Sequence, residues 1–178
     1  MKTITTCFMI ALASVWAGLS QAADTATNAA PASVFAPIDF LPGGVWRGDL
    51  PSGTNDMKLG IEARFEWTGN HQGIRFESAW VTGDKRRPYC SGMYVWNPEK
   101  RQIEVVYTDS KGGLVEGTLE LVGDVRQSNL KLVDKTGREQ TLQANMTHPD
   151  ATTFVNAIQM KVDGGWQKLV TVRYDRSP

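Results

Sequence analysis

The sequence predicts an all-β protein, an antiparallel up-and-down β-barrel of about ten strands. Three observations lead there. From Val45 onward the apolar residues recur with period two, and a strand puts alternate side chains on opposite faces. The alternating runs are separated by short clusters rich in Asp, Asn and Gly, which suit tight turns. Connections that short leave no room for crossover helices, so successive strands pair antiparallel, and a sheet of this size removes its exposed edges by closing.

The chain begins with an address rather than with fold. Lys2 is the only early charge, "CFMIALASVWAGL" is an uncharged apolar run, and Ser20 and Ala22 carry the small-residue spacing of a signal peptidase site. Residues 1–22 are read as a cleaved export signal, which places the mature protein in the periplasm or outside the cell. Cys7 lacks the preceding Leu-Ala-Gly type of sequence expected at a lipidated cysteine. Once the signal is removed, no stable membrane insertion is expected. Residues 23–37, rich in Ala, Thr and Pro, read as a flexible lead-in. Residues 38–178 form the barrel domain, and Phe35, Ile38, Phe40 and Leu41 suit a short helical turn packed on it.

Within the domain, Met57, Leu59, Ile61, Ala63, Phe65 and Trp67 alternate with Lys58, Gly60, Glu62, Arg64 and Glu66, giving one dry and one wet face. Ile74, Phe76, Ser78 and Trp80 repeat the pattern against Arg75 and Glu77. Ile103, Val105 and Tyr107 follow, then Val115, Leu119 and Leu121, then Leu130 and Leu132. Leu142, Ala144 and Met146 come next, then Phe154, Ile158 and Met160, and last Trp166, Val170, Val172 and Tyr174. The turn clusters between them include "TGNHQG", "DSKGG", "DKTG", "THPD" and "DGG", several short enough for hairpins.

Composition and motifs exclude several functions. Lys+Arg and Asp+Glu both number 19, so there is no electrostatic case for nucleic acid or an anionic membrane. The basic cluster "DKRRP" (Asp84 to Pro88) reads as a solvated turn. Only Cys90 remains after processing, so no internal disulfide forms. Buried, it serves as a small hydrophobe; as a nucleophile it would lie in "YCSGM", which is not a Gly-X-Ser-X-Gly elbow. No metal-ligand spacing is present. The carboxylates Glu62, Glu66 and Glu77 alternate with Arg64 and Arg75, as expected of a solvated outer face rather than of paired acid/base catalysis.

Against this background, Gly44-Val45-Trp46 resembles the Gly-X-Trp signature on the first strand of lipocalins and other calycin-type barrels. "GGVWRG" followed by about ten strands also resembles the nitrobindin-like branch and uncharacterised lipocalin-like bacterial envelope proteins. The resemblance spans Phe40 to Tyr174. It implies that Trp46, with Gly44 beneath it, closes one barrel end, and that a basic residue of the last strand, matched here by Arg173, packs over the indole. It also raises haem, which needs an axial ligand. His71 and His148 both fall in turn clusters, the closing strand carries no His, and a tyrosine such as Tyr174 is a poor substitute ligand. Haem binding is therefore not carried over, and no cofactor or metal is expected.

The dry face remains. Phe65, Trp67, Phe76, Tyr107 and Trp80, with Trp166 in the same phase, are expected to line a pocket for a small, mostly apolar molecule. Ser78 and Asn156 add polar groups, and Asn156 bonds either to Ser78, to water or to a ligand. Two other functions stay open: a barrel-type cyclase or isomerase using Tyr107, Asn156 and Lys168, and an envelope interaction module with a filled core.

Overall fold

The computed structural model describes residues 34–50 and 59–177. The expected signal 1–22, most of the lead-in 23–37 and Met57 lie outside the described residues. A 3-10 turn, Ala36–Ile38, precedes ten strands: β1 Gly44–Asp49, β2 Gly60–Trp67, β3 Gly73–Thr82, β4 Lys85–Asn97, β5 Gln102–Asp109, β6 Leu114–Val122, β7 Val125–Val133, β8 Glu139–Asp150, β9 Thr153–Val162 and β10 Gly165–Ser177. Each strand pairs antiparallel with its sequence neighbour, and β1 pairs with β10 to close the barrel. This is the up-and-down topology that the alternation predicts. The turns are built as their residues suggest. In "DKTG" the Asp134 carboxylate accepts from the backbone N–H of Thr136 (2.8 Å) and Arg138 (3.1 Å). Asp163 and Gly164, with φ of 42° and 83°, join β9 to β10, as a two-residue hairpin turn requires.

One end of the barrel is plugged. Phe35, Ile38, Leu41 and Trp46 are fully buried there. Trp46 Nε1 donates to the Leu41 carbonyl at 2.8 Å, so the indole's polar edge is satisfied inside the plug. Arg126 Nε holds the turn from the side, donating to the Pro37 carbonyl at 2.6 Å. Phe35 is only 1% exposed, so the barrel unit starts before residue 38 and takes the end of the lead-in into its core. Composition reads those residues as linker because the apolar side chains are too few to show a period.

Three irregularities re-aim the strands: between Ser78 and Ala79 against β4, between Thr147 and Asp150 against β9, and between Lys168 and Val170 against β9. A bulge adds one residue to one strand and shifts the side-chain phase on either side of it. At Gly117 the sheet is pressed close: an added Cβ would lie 2.0 Å from the Asn129 carbonyl oxygen of β7.

The outer wall of β1, β2 and β4 carries a charge cluster. Glu62 is 5% exposed and takes Arg47 (3.3 Å), Arg64 (3.2 Å) and Arg86 (3.2 Å). The sequence places Glu62 on the outer face, which holds, but three guanidinium stems cover it, so it is not solvated. Burial alone would raise its pKa; the hydrogen bonds from Arg64 and Arg47 and the Arg86 charge outweigh that and hold it below the usual carboxylate value. Of "DKRRP" only Asp84 lies in the turn; Lys85 to Pro88 open β4, and all five residues are solvent-exposed.

Candidate functional site

Above the plug the barrel holds an interior cavity of about 140 Å³. Its floor is the aromatic stack on Trp46. Phe154 meets Trp46 edge-on at 4.8 Å and stacks on Tyr174 at 4.4 Å and 14°. Phe65 and Phe76 continue the wall at 5.9 Å, and Phe76 contacts Tyr94 (5.4 Å) and Tyr107 (5.7 Å). At the end away from the plug, Trp80 packs on Tyr89 at 4.2 Å. The facing wall is Leu130, Ala144, Met146, Asn156 and Ile158. All four tyrosines of the chain line the space.

The interior is polar in places but uncharged: among the described residues, no Asp, Glu, Lys, Arg or His lines the cavity. Burial pushes all four phenols above their ordinary pKa. Burial likewise raises the Cys90 thiol, and the hydrogen bond from Ser78 only partly offsets this. These groups therefore stay protonated near neutral pH. Cys90 Sγ and Ser78 Oγ lie 3.0 Å apart and satisfy each other. Asn156 Oδ1 is buried with no partner.

Phe65, Phe76, Ser78, Trp80, Tyr107 and Asn156 therefore converge on one space. Trp67 and Trp166 do not. Trp67 has the right phase but lies past the floor, edge-on to Phe35 (5.6 Å) and stacked on His71 (5.3 Å), so it belongs to the plug. Trp166 is 45% exposed. It pairs with Lys161, and Lys168 pairs with Gln159, whereas Val170, beyond the bulge, pairs with inward Ile158. The extra residue, Leu169, reverses the phase, so both Trp166 and Lys168 face out. An unbroken alternation carried back from Tyr174 misplaces them.

The residue over Trp46 is Arg176, not Arg173. Trp46 pairs directly with Arg176, whose guanidinium carbon sits 4.5 Å from the indole centroid and which also donates to the Phe40 carbonyl. Arg173 faces out and pairs with Asp175 at 3.1 Å. The signal was present in the sequence: if Val172 and Tyr174 face in, Arg176 does too and Arg173 cannot. Gly44 leaves the room, since a Cβ there would meet the Arg176 stem at 3.1 Å.

Neither histidine lines the cavity. His71 sits in the β2–β3 turn. His148 is on β8 rather than in a turn, stacked on Phe40 at 3.6 Å and 8°, and burial, then the Arg126 charge, lowers its pKa. Among the described residues, no group of three or more His, Cys, Asp or Glu is placed to hold a metal ion, and no helix is long and apolar enough to cross a membrane. Sequence reasoning missed Tyr89, Tyr94, Ser128 and Met146 as lining residues. Tyr94 follows Cys90 and Gly92 at period two and was legible; Tyr89 faces the cavity only because of the β3–β4 bulge.

These features define a ten-stranded antiparallel barrel of lipocalin-like form, plugged at one end and hollow above the plug. Its fold is similar to that of Rv2717c from M. tuberculosis, known from a crystal structure: the TM-score is 0.54 at 18% identity, over 84% of this chain and 99% of that one. At that identity the likeness is one of fold. No family model and no curated protein matches the chain.

Proposed function

We propose that this is an exported lipocalin-like barrel that binds a small, mostly apolar molecule in its interior. The observation that carries the reading is the interior cavity with aromatic walls and no charged lining residue among those described. Such walls supply contact area without fixed charge, and the few hydroxyl and amide groups supply orientation. A filled-core interaction module would have no such space. The cyclase or isomerase reading loses Lys168, which stands on the outer face against Gln159, and burial that keeps the Tyr107 phenol protonated leaves it no role as a base. Export rests on the composition of residues 1–22 and is tested by cell fractionation.

Binding is tested by native mass spectrometry of the full chain recovered from its own compartment, beside thermal melts. Trp80→Ala is expected to lower ligand occupancy more than it lowers the melting temperature, and Trp166→Ala to leave occupancy unchanged. Equal loss of occupancy in both variants would refute the assignment of the site.

A further inference from the structure

We infer that His148 is an acid-sensitive latch on the plugged end: its protonation releases the turn formed by residues 35–41 from the barrel. The inference goes beyond the binding reading and does not depend on it.

The turn is held by donors on three strands. Trp46 of β1 donates to the Leu41 carbonyl, Arg126 of β7 to the Pro37 carbonyl and Arg176 of β10 to the Phe40 carbonyl. His148 is the contribution of β8. It lies between Thr147 and Asp150, where β8 leaves its register with β9, and its ring lies flat on Phe40 at 3.6 Å and 8°. Phe40 in turn meets Trp46 and Phe154 edge-on at 6.1 Å and 6.2 Å. The imidazole therefore backs the residue that covers the closing tryptophan.

Two features of this contact favour the neutral ring. The first is an orphaned nitrogen. His148 Nε2 is buried with no hydrogen-bond partner. Protonation makes both ring nitrogens donors, so a charged N–H would stand there without an acceptor, which is costly. The second is charge. Two cations face the ring from neighbouring strands, Arg126 and Arg176, against the carboxylates of Asp39 in the turn and Asp150 on β8. A cation stacked on Phe40 would gain from its π-face, but the Arg126 guanidinium already lies 5.5 Å from that ring's centroid.

An imidazolium is thus disfavoured while the turn is in place, and proton uptake is linked to release of the turn. Burial, then the Arg126 charge, puts the His148 pKa below its ordinary 6.5 with the turn closed. The closed turn binds fewer protons than the released one, so closure is at full strength above 6.5 and weakens as pH falls from there through the lowered value. Asp150 is held below the ordinary carboxylate value by its hydrogen bonds from Thr152 and keeps its charge through this range.

The test follows backbone hydrogen exchange of the full chain between about pH 7.5 and about pH 5, in wild type and in His148→Phe, which keeps a flat ring on Phe40 and cannot titrate. Comparing the two at each pH cancels the pH dependence of chemical exchange. At the acid end, protection over residues 35–41 is expected to be about tenfold lower in wild type than in the variant, while β5 and β6 keep theirs. The chain has only two histidines, His71 and His148, so proton NMR resolves both titrations, and the signal missing from His148→Phe is expected to titrate below 6.5. Equal or reversed protection in wild type and variant overturns the proposal. So does a loss spread evenly over the barrel strands, which is global acid unfolding, or a His148 that titrates at 6.5 or above. Should His148→Phe not fold, His148→Gln carries the same comparison.

Discussion

Replacing Arg176 by alanine removes the cover of the plugged end. Two interactions are lost together. The guanidinium lies 4.5 Å from the Trp46 ring centroid, a contact worth about 0.5–2 kcal/mol. It also donates to the Phe40 carbonyl, and a charged hydrogen bond contributes about 1.5–3 kcal/mol. The two share one side chain and do not add fully, so the expected cost is about 2–3 kcal/mol. For a domain of this size that is roughly 5–10 °C in melting temperature. Arg173→Ala is the control. Its pair with Asp175 has side chains 63% and 60% exposed, and such a pair is worth at most about 1 kcal/mol. Arg176→Lys keeps the charge but not the planar fork over the indole, and should fall between wild type and Arg176→Ala. Urea unfolding followed by far-UV circular dichroism measures all three without relying on Trp46 emission. If Arg173→Ala costs as much as Arg176→Ala, or more, the assignment of the plug's cover is wrong.

Two further outcomes test the outer wall and the sheet. Because Glu62 is held below its ordinary pKa of 4.5 in the folded protein, its contribution is present above that value and is lost as pH falls through the lowered one. Glu62→Gln should cost about 1–3 kcal/mol at pH 7, and its gap from wild type should shrink as pH drops below 4.5; a gap constant from pH 7 to 3 would contradict the arginine cluster. Gly117→Ala, with its Cβ 2.0 Å from a β7 carbonyl oxygen, should destabilise by about 2–3 kcal/mol or more. Gly69→Ala, with no atom within 4 Å of the added Cβ, should stay near wild type in the same thermal melt.

Much of the barrel was legible in the chain because the signal is local. A strand buried on one face must alternate, and Ile61 to Trp67 or Ile74 to Trp80 cannot satisfy that alternation any other way. Short turns force neighbours to pair, so the antiparallel order follows without tertiary information. The inward set Phe65, Phe76, Ser78, Trp80, Tyr107 and Asn156 comes from the same rule, whereas Trp46 as the closing residue comes from the Gly-X-Trp resemblance. The packing of Phe35, Ile38 and Leu41 as a short helical turn was legible too; the boundary at residue 38 was not, because a segment that crosses a barrel end has no period to display.

What the tertiary structure alone decided is phase and partnership. Leu169 is one extra residue on β10, and it turns Trp166 and Lys168 outward although their spacing from Val170 looks regular. The β3–β4 bulge brings Tyr89 into the cavity against Trp80 for the same reason. The partner of Ser78 is Cys90, brought beside it by β4 at 3.0 Å, and not Asn156 on β9. Alternation is a property of one strand and is written along it. A bulge is a mismatch between two strands, and a hydrogen-bond partner is a third residue brought from elsewhere, so neither is written in the strand whose side chains it redirects.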